Sequence, residues 1–244
     1  AMSPSDRVWF QPSHSEAGVA GSSPRAIAAI WSAWVAPCAL VGKAGPAKSA
    51  DTSVLVADFE NGKDGFGFHD GAEFGPAGGS FSAVTNGANK SEFCGRLEGE
   101  FTVSGLYVAI SKKLEQSLHV KVLSFYVKTK DVTKIGLRLT DSSGQTHQQE
   151  IEVNPTGSWQ PIRVNTFNKG SNYKHWGGKD DGKWHQPLST IGFALRKGDL
   201  KNAKGKTVKG EYMLDEIRVT PMPGTYKPEE PPAENKEAEE KQDE

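Results

Sequence analysis

Cysteine, one-sided charge and long apolar runs are all scarce in this chain, and each scarcity removes a class of explanation. Only Cys38 and Cys94 occur in 244 residues, which rules out a disulfide framework or a cysteine metal knot. The formal net charge is −1, so the chain carries no polyanion-binding footprint and no nucleic-acid partner is expected. There is no G-x-S-x-G elbow, H-E-x-x-H pair, phosphate loop or dinucleotide fingerprint, which leaves those chemistries without a carrier. No segment sustains a helical period, and no stretch repeats. The longest apolar run, A-I-A-A-I-W-S-A-W-V-A-P-C-A-L-V-G after Arg25, is broken by Pro37. It falls short of the ~20 residues that a bilayer span needs, so no stable membrane span is expected.

What is present divides the chain in three. Arg25, the apolar run and the small residues Ala44, Ala47 and Ala50 have the makeup of a secretory signal. Residues 1–50 are therefore read as a polar lead and signal peptide, and the protein as secreted, periplasmic or attached at the cell surface. Pro37 stands before Cys38 where a lipobox wants a small residue, so lipidation is not expected. Residues 221–244 combine prolines with repeated glutamates and cannot bury enough apolar surface to offset ordering, so they read as a disordered acidic tail.

Between them, residues 51–220 are punctuated by short β-branched and aromatic runs with turn signals. Examples are S-V-L-V-A-D-F-E, L-Y-V-A-I-S, V-K-V-L-S-F-Y-V-K-T, K-I-G-L-R-L-T and E-Y-M-L-D-E-I-R-V. About ten such runs predict an all-β fold, an antiparallel β-sandwich of the jelly-roll kind. Val120–Thr129 and Lys134–Thr140 read as a hairpin pair. Cys94, in F-C-G-R-L, reads as an inert buried thiol.

One stretch stands apart: N-Y-K-H-W-G-G-K-D-D-G-K-W-H-Q-P-L, Asn172 to Leu188. It sets Trp176, Trp184, His175 and His185 around two glycine turns, with Asp180 and Asp181 between. Two tryptophans in so polar a segment either cap the edge of a core or offer a flat apolar face to a ligand such as a sugar ring. The segment reads as a rim loop in which Trp176, Trp184, His185 and Asp180 are binding candidates. His175, His185 and Asp180 also form a weak transition-metal set.

The order D-F-E, L-S-F-Y-V-K, G-S-W-Q-P-I-R-V, I-G-F-A-L and L-D-E-I-R-V resembles a galactose-binding-like jelly roll. It is nearest to carbohydrate-binding module family 11, whose members bind β-glucans, and to the related complex I intermediate-associated protein 30 domain. The resemblance spans Val54 to Thr220. It implies a structural Ca²⁺ held by Glu60, with Asp58 beside it, and by Asp215, with backbone carbonyls near Gly78–Gly79 completing the shell. It also implies a sugar lying across a concave sheet against tyrosines and an arginine. The outward positions that alternate with Phe125, Leu137, Ile151 and Ile162 are Tyr126, Arg138, Glu150 and Arg163.

The leading expectation is an exported, non-catalytic protein that binds a polysaccharide or oligosaccharide. A hydrolase would need paired carboxylates such as Glu150 and Glu152. A lyase would need an arginine with a histidine and Tyr126. A structural or assembly protein would instead present the sandwich to a protein partner.

Overall fold

A computed structural model of the chain describes residues 53–101, 105–204 and 208–227. The expected signal peptide and the tail from residue 228 lie outside the described residues. Among the described residues no helix is long and apolar enough to cross a membrane.

The described residues form twelve strands: β1 (Val54–Ala57), β2 (Gly67–His69), β3 (Gly78–Thr85), β4 (Phe93–Phe101), β5 (Tyr107–Leu118), β6 (Val120–Lys128), β7 (Lys134–Asp141), β8 (Thr146–Glu152), β9 (Gln160–Val164), β10 (Ser171–Trp176), β11 (Leu188–Arg196) and β12 (Val208–Pro221). They build two antiparallel sheets. The first runs β3-β4-β12-β6-β9, with β1 also on β12, and the second runs β10-β8-β7-β11-β5-β2. The fold is the all-β sandwich that the strand pattern predicts.

Alternation explains how the sheets meet. On β7, Ile135, Leu137 and Leu139 point inward and are essentially unexposed, while Arg138 and Thr140 point out. Phe125 of β6 and Phe193 of β11 meet edge to face across the sandwich at 5.1 Å, and Phe59, Phe66 and Phe81 form an aromatic cluster beside them. On β12 the inward side chains Leu214 and Ile217 are three apart, which strict alternation forbids. The register shifts between Asp215 and Arg218, with Glu216 at φ 48°. This bulge takes up the extra residue and buries Asp215 beside Leu214.

Three expectations need correction. Val120–Thr129 and Lys134–Thr140 are not a hairpin, because β6 and β7 belong to opposite sheets. The chain crosses between them as Thr129 Oγ1 donates to the Glu211 carbonyl (2.9 Å) and Val132 bridges to Leu200. The first part of the tryptophan segment is not loop but strand β10, paired with β8. The boundary set at residue 220 also falls short: β12 runs through Pro221, and Tyr226 rests against the core.

Candidate functional site

The outer face of the second sheet carries a cleft of about 620 Å³, and pairing register fixes what lines it. One row across five strands reads Trp176, Thr146, Thr140, Thr190 and Lys113. The next reads Lys174, Gln148, Arg138, Gly192 and Ser111. Partners in register share a face, so the floor is a band of hydroxyls, with Thr140 and Thr146 in contact at 3.0 Å. A Cβ at Gly192 would stand 3.5 Å from the Cβ atoms of both Arg138 and Ser111. The missing side chain is what keeps the centre of the floor open.

Arg138 organises the site. Its Nε donates to Gln148 Oε1 at 2.7 Å. Its Cζ lies 4.5 Å from the centroid of Tyr107 and 5.7 Å from that of Trp176. Two aromatic rings and an amide oxygen thus hold the cation on the sheet face. Trp176 is 42% exposed, a large apolar face open to solvent at the end of β10. Across the floor, His69 Nε2 meets Ser111 Oγ at 2.8 Å, and Tyr107 Oη donates to the Glu73 carboxylate. That bond holds the Glu73 carboxyl below its usual range, while burial, and then the same bond, push the Tyr107 phenol up.

The two tryptophans part company here. Trp184 packs at 5.1 Å against both Phe167 and His147, and its Nε1 is buried without a partner. It lids the core, while Trp176 walls the cleft. Beneath the lid, buried His147 links Asp141 (3.1 Å) to Tyr173 (2.7 Å). Asp141 accepts from the His185 backbone at 3.0 Å, and Gln145 grips the Lys183 carbonyl and the Gly182 N–H. The segment is thus pinned from below by polar side chains that satisfy one another.

Asp180 and His185 do not line the cleft. Asp180 pairs with His175 at 3.5 Å, and His185 pairs with Asp181 at 3.0 Å. No group of three or more His, Cys, Asp or Glu side chains suited to a metal occurs among the described residues. Tyr126 and Arg163 lie on β6 and β9 of the first sheet, on the opposite outer face from Arg138. Glu150 shares the Arg138 face, but it is engaged by Asn172 (2.6 Å), Lys134 (3.1 Å) and Arg196 (2.8 Å). Burial raises its pKa, and those partners outweigh burial to bring it to about 2. The residues that sequence reasoning missed are Tyr107, His69 and Glu73. Alternation through L-Y-V-A-I-S would have turned Tyr107 outward, whereas His69 and Glu73 border an irregular turn with no pattern to read.

The expected calcium residues cluster only in part. Glu60 Oε1 accepts from Ser91 Oγ (2.6 Å) and from the backbones of Glu92 (2.8 Å) and Phe93 (3.1 Å). Asp215, fully buried, accepts from the backbones of Ala88 (2.6 Å) and Glu216 (2.7 Å). Both carboxylates therefore clasp the loop 86–93, in which Asn86, Asn89 and Lys90 all have positive φ. Burial pushes the Asp215 carboxyl up to about 6 despite those bonds, and none of the ion pairs among the described residues includes it. Asp58 instead accepts from the Glu60 backbone at 3.2 Å. Gly78 and Gly79 are strand residues paired with Glu100 and Gly99, whereas the loop contacts of Glu60 and Asp215 are made with residues 88–93.

No family model matches the chain, and no curated protein does. Among solved structures it is similar to the family 11 carbohydrate-binding module of the cellulosomal cellulase Lic26A-Cel5E of Clostridium thermocellum. That likeness has 18% identity over 71% of this chain and 97% of that one, with a TM-score of 0.48. It is also similar to TmCBM61 in complex with β-1,4-galactotriose, with 12% identity, 69% and 99% coverage and a TM-score of 0.42. It is similar as well to the apo form of a cyclase from Fischerella sp., with 10% identity, 72% and 100% coverage and a TM-score of 0.47. Likenesses at this level carry no ligand over to this chain.

Proposed function

We propose that the protein binds carbohydrate, without turning it over, in the cleft between Trp176 and Glu73. The observation that carries this reading is the pairing of an exposed indole with a hydroxyl-lined floor and a guanidinium beside it. A pyranose ring presents an apolar face to stack on tryptophan and a rim of hydroxyls for Arg138, Glu73, His69 and the threonines. Binding without turnover is supported by the place of Glu150, the carboxylate a hydrolase reading would use: it lies outside the cleft lining and is tied to Asn172, Lys134 and Arg196. Export, in this reading, follows from the apolar segment after Arg25. Affinity electrophoresis on neutral β-glucans and β-galactans tests the idea. Retention that is lost in Trp176→Ala is expected; free passage of the wild type through every gel, or release of reducing ends, would overturn it.

Calcium belongs to the same reading. Glu60 and Asp215 would hold it, with carbonyls of the loop 86–91 as further ligands, an all-oxygen set that suits a hard cation. Bound there, the ion would supply the positive charge that buried Asp215 lacks and would fix the loop; it takes no part in sugar chemistry.

A further inference from the structure

We infer that the cleft is a terminal site, taking the end of a saccharide chain and not a stretch from its middle. The inference rests on the carbohydrate reading above and adds how the ligand enters. Three sides of the cleft are walled. Trp176 stands on one flank, at the end of edge strand β10. On the other flank the segment from His69 to Glu73 follows edge strand β2 and is fastened down. Gly71 lies so close to Tyr107 that a Cβ there would meet the Tyr107 carbonyl oxygen at 2.5 Å, and Glu73 is bonded to the Tyr107 hydroxyl.

The third side is closed by side chains lying on the sheet itself. Ala109 and Ala194 alternate with the core residues Val108, Ile110, Phe193 and Leu195, so they face outward. Yet they are 2% and 0% exposed. Tyr107 packs with them, and Arg138 reaches along the face to that ring. Beyond lies the cluster in which Arg196 and Lys134 hold Glu150 at 2.8 and 3.1 Å. A platform for the middle of a polysaccharide would run clear from sheet edge to sheet edge, about 24 Å over six strands spaced ~4.8 Å. Here the lining does reach from β10 to β2, but Trp176 and the His69–Glu73 segment stand at the two edges, and the open volume between them is about 620 Å³, the size of pocket that takes a small ligand. The Arg138 guanidinium and the Glu73 carboxylate both line the cleft, a donor and an acceptor for the hydroxyls of a sugar seated against the Tyr107 side.

The test is calorimetric titration of the full chain with oligosaccharide ladders, one to six residues long, of β-1,4-glucan, β-1,3-glucan and β-1,4-galactan. Each ladder is repeated with its reducing end converted to the alditol, and again with its non-reducing end O-methylated. A ladder that binds should come within about twofold of its final affinity by the trisaccharide, and one of the two end modifications should cost about tenfold or more. Affinity that climbs at every step to the hexasaccharide and tolerates both modifications would overturn the terminal site and leave sugar binding standing. Failure of every ladder, with Trp176→Ala indistinguishable from the wild type, would overturn both.

Discussion

Replacing each tryptophan of the 172–188 segment with alanine should give opposite results, with a size set by what each ring touches. Trp184 is packed on Phe167 and His147 and is counted with the core. Aromatic-to-alanine changes in cores cost about 3–5 kcal/mol; because Trp184 is only partly buried, about 3 kcal/mol is expected. For a domain of this size each kcal/mol moves Tm by about 2–4 °C, so Trp184→Ala should lose roughly 6–12 °C. Its buried Nε1 makes no hydrogen bond, so Trp184→Phe forfeits no polar contact and should cost about 1 kcal/mol or less. Trp176 is 42% exposed, and its ring is approached by Arg138 at 5.7 Å, an exposed cation–π pair of about 0.5–1 kcal/mol. Trp176→Ala should therefore leave Tm within a few degrees while abolishing glycan retention. Scanning calorimetry beside affinity electrophoresis reads both effects. Equal destabilisation by the two changes, or a neutral Trp184→Ala, would refute the division into lid and wall.

Other consequences follow from the same contacts. Arg138→Lys keeps the charge but loses the flat fork between two rings, so retention should weaken about tenfold, a loss of about 1.4 kcal/mol, with little change in Tm. Glu150 is held at about 2, well below the ordinary glutamate value of 4.5. A carboxyl lowered on folding stabilises above its unfolded pKa and loses that contribution as pH falls toward the folded value. Stability should therefore drop between about pH 4.5 and 2 by at most about 3 kcal/mol, and Glu150→Gln should flatten that limb in acid-unfolding curves. Chelation with EDTA should lower the Tm of the wild type but not of Asp215→Asn; equal responses would remove calcium from Glu60 and Asp215. Burial pushes the Cys94 thiol up to about 11, so in the native protein Cys94 should resist iodoacetamide at pH 8 and react once unfolded, as read by peptide mapping that separates it from Cys38.

The fold was legible because burial on one face writes a period of two into every strand. Ile135, Leu137 and Leu139 carry that signal on β7, and Phe125 and Val127 carry it on β6. Alternation reports which side of its own sheet a residue occupies, however, and says nothing of which sheet that is. Tyr126 and Arg138 both alternate outward, yet the sandwich sets them on opposite outer faces. Hydrogen bonding between strands distant in sequence decides sheet membership, as where β5 pairs with β11 and with β2. A hairpin inferred from mere adjacency, β6 with β7, fails for the same reason.

The site was legible in its chemistry more than in its membership. The tryptophan segment declared itself by composition, but its two rings differ only because β10 extends through Trp176. The indole at that position shares a face with Thr146 and faces water. Trp184 lies beyond two glycine turns, Gly177–Gly178 and Gly182, all at positive φ. They fold the chain back so that this second ring lands on Phe167. Had the strand ended one residue earlier, period-two geometry would have left nothing to aim Trp176 at Arg138. The register of a six-residue edge strand, which no local pattern in N-Y-K-H-W-G-G encodes, is therefore what separates a cleft wall from a lid.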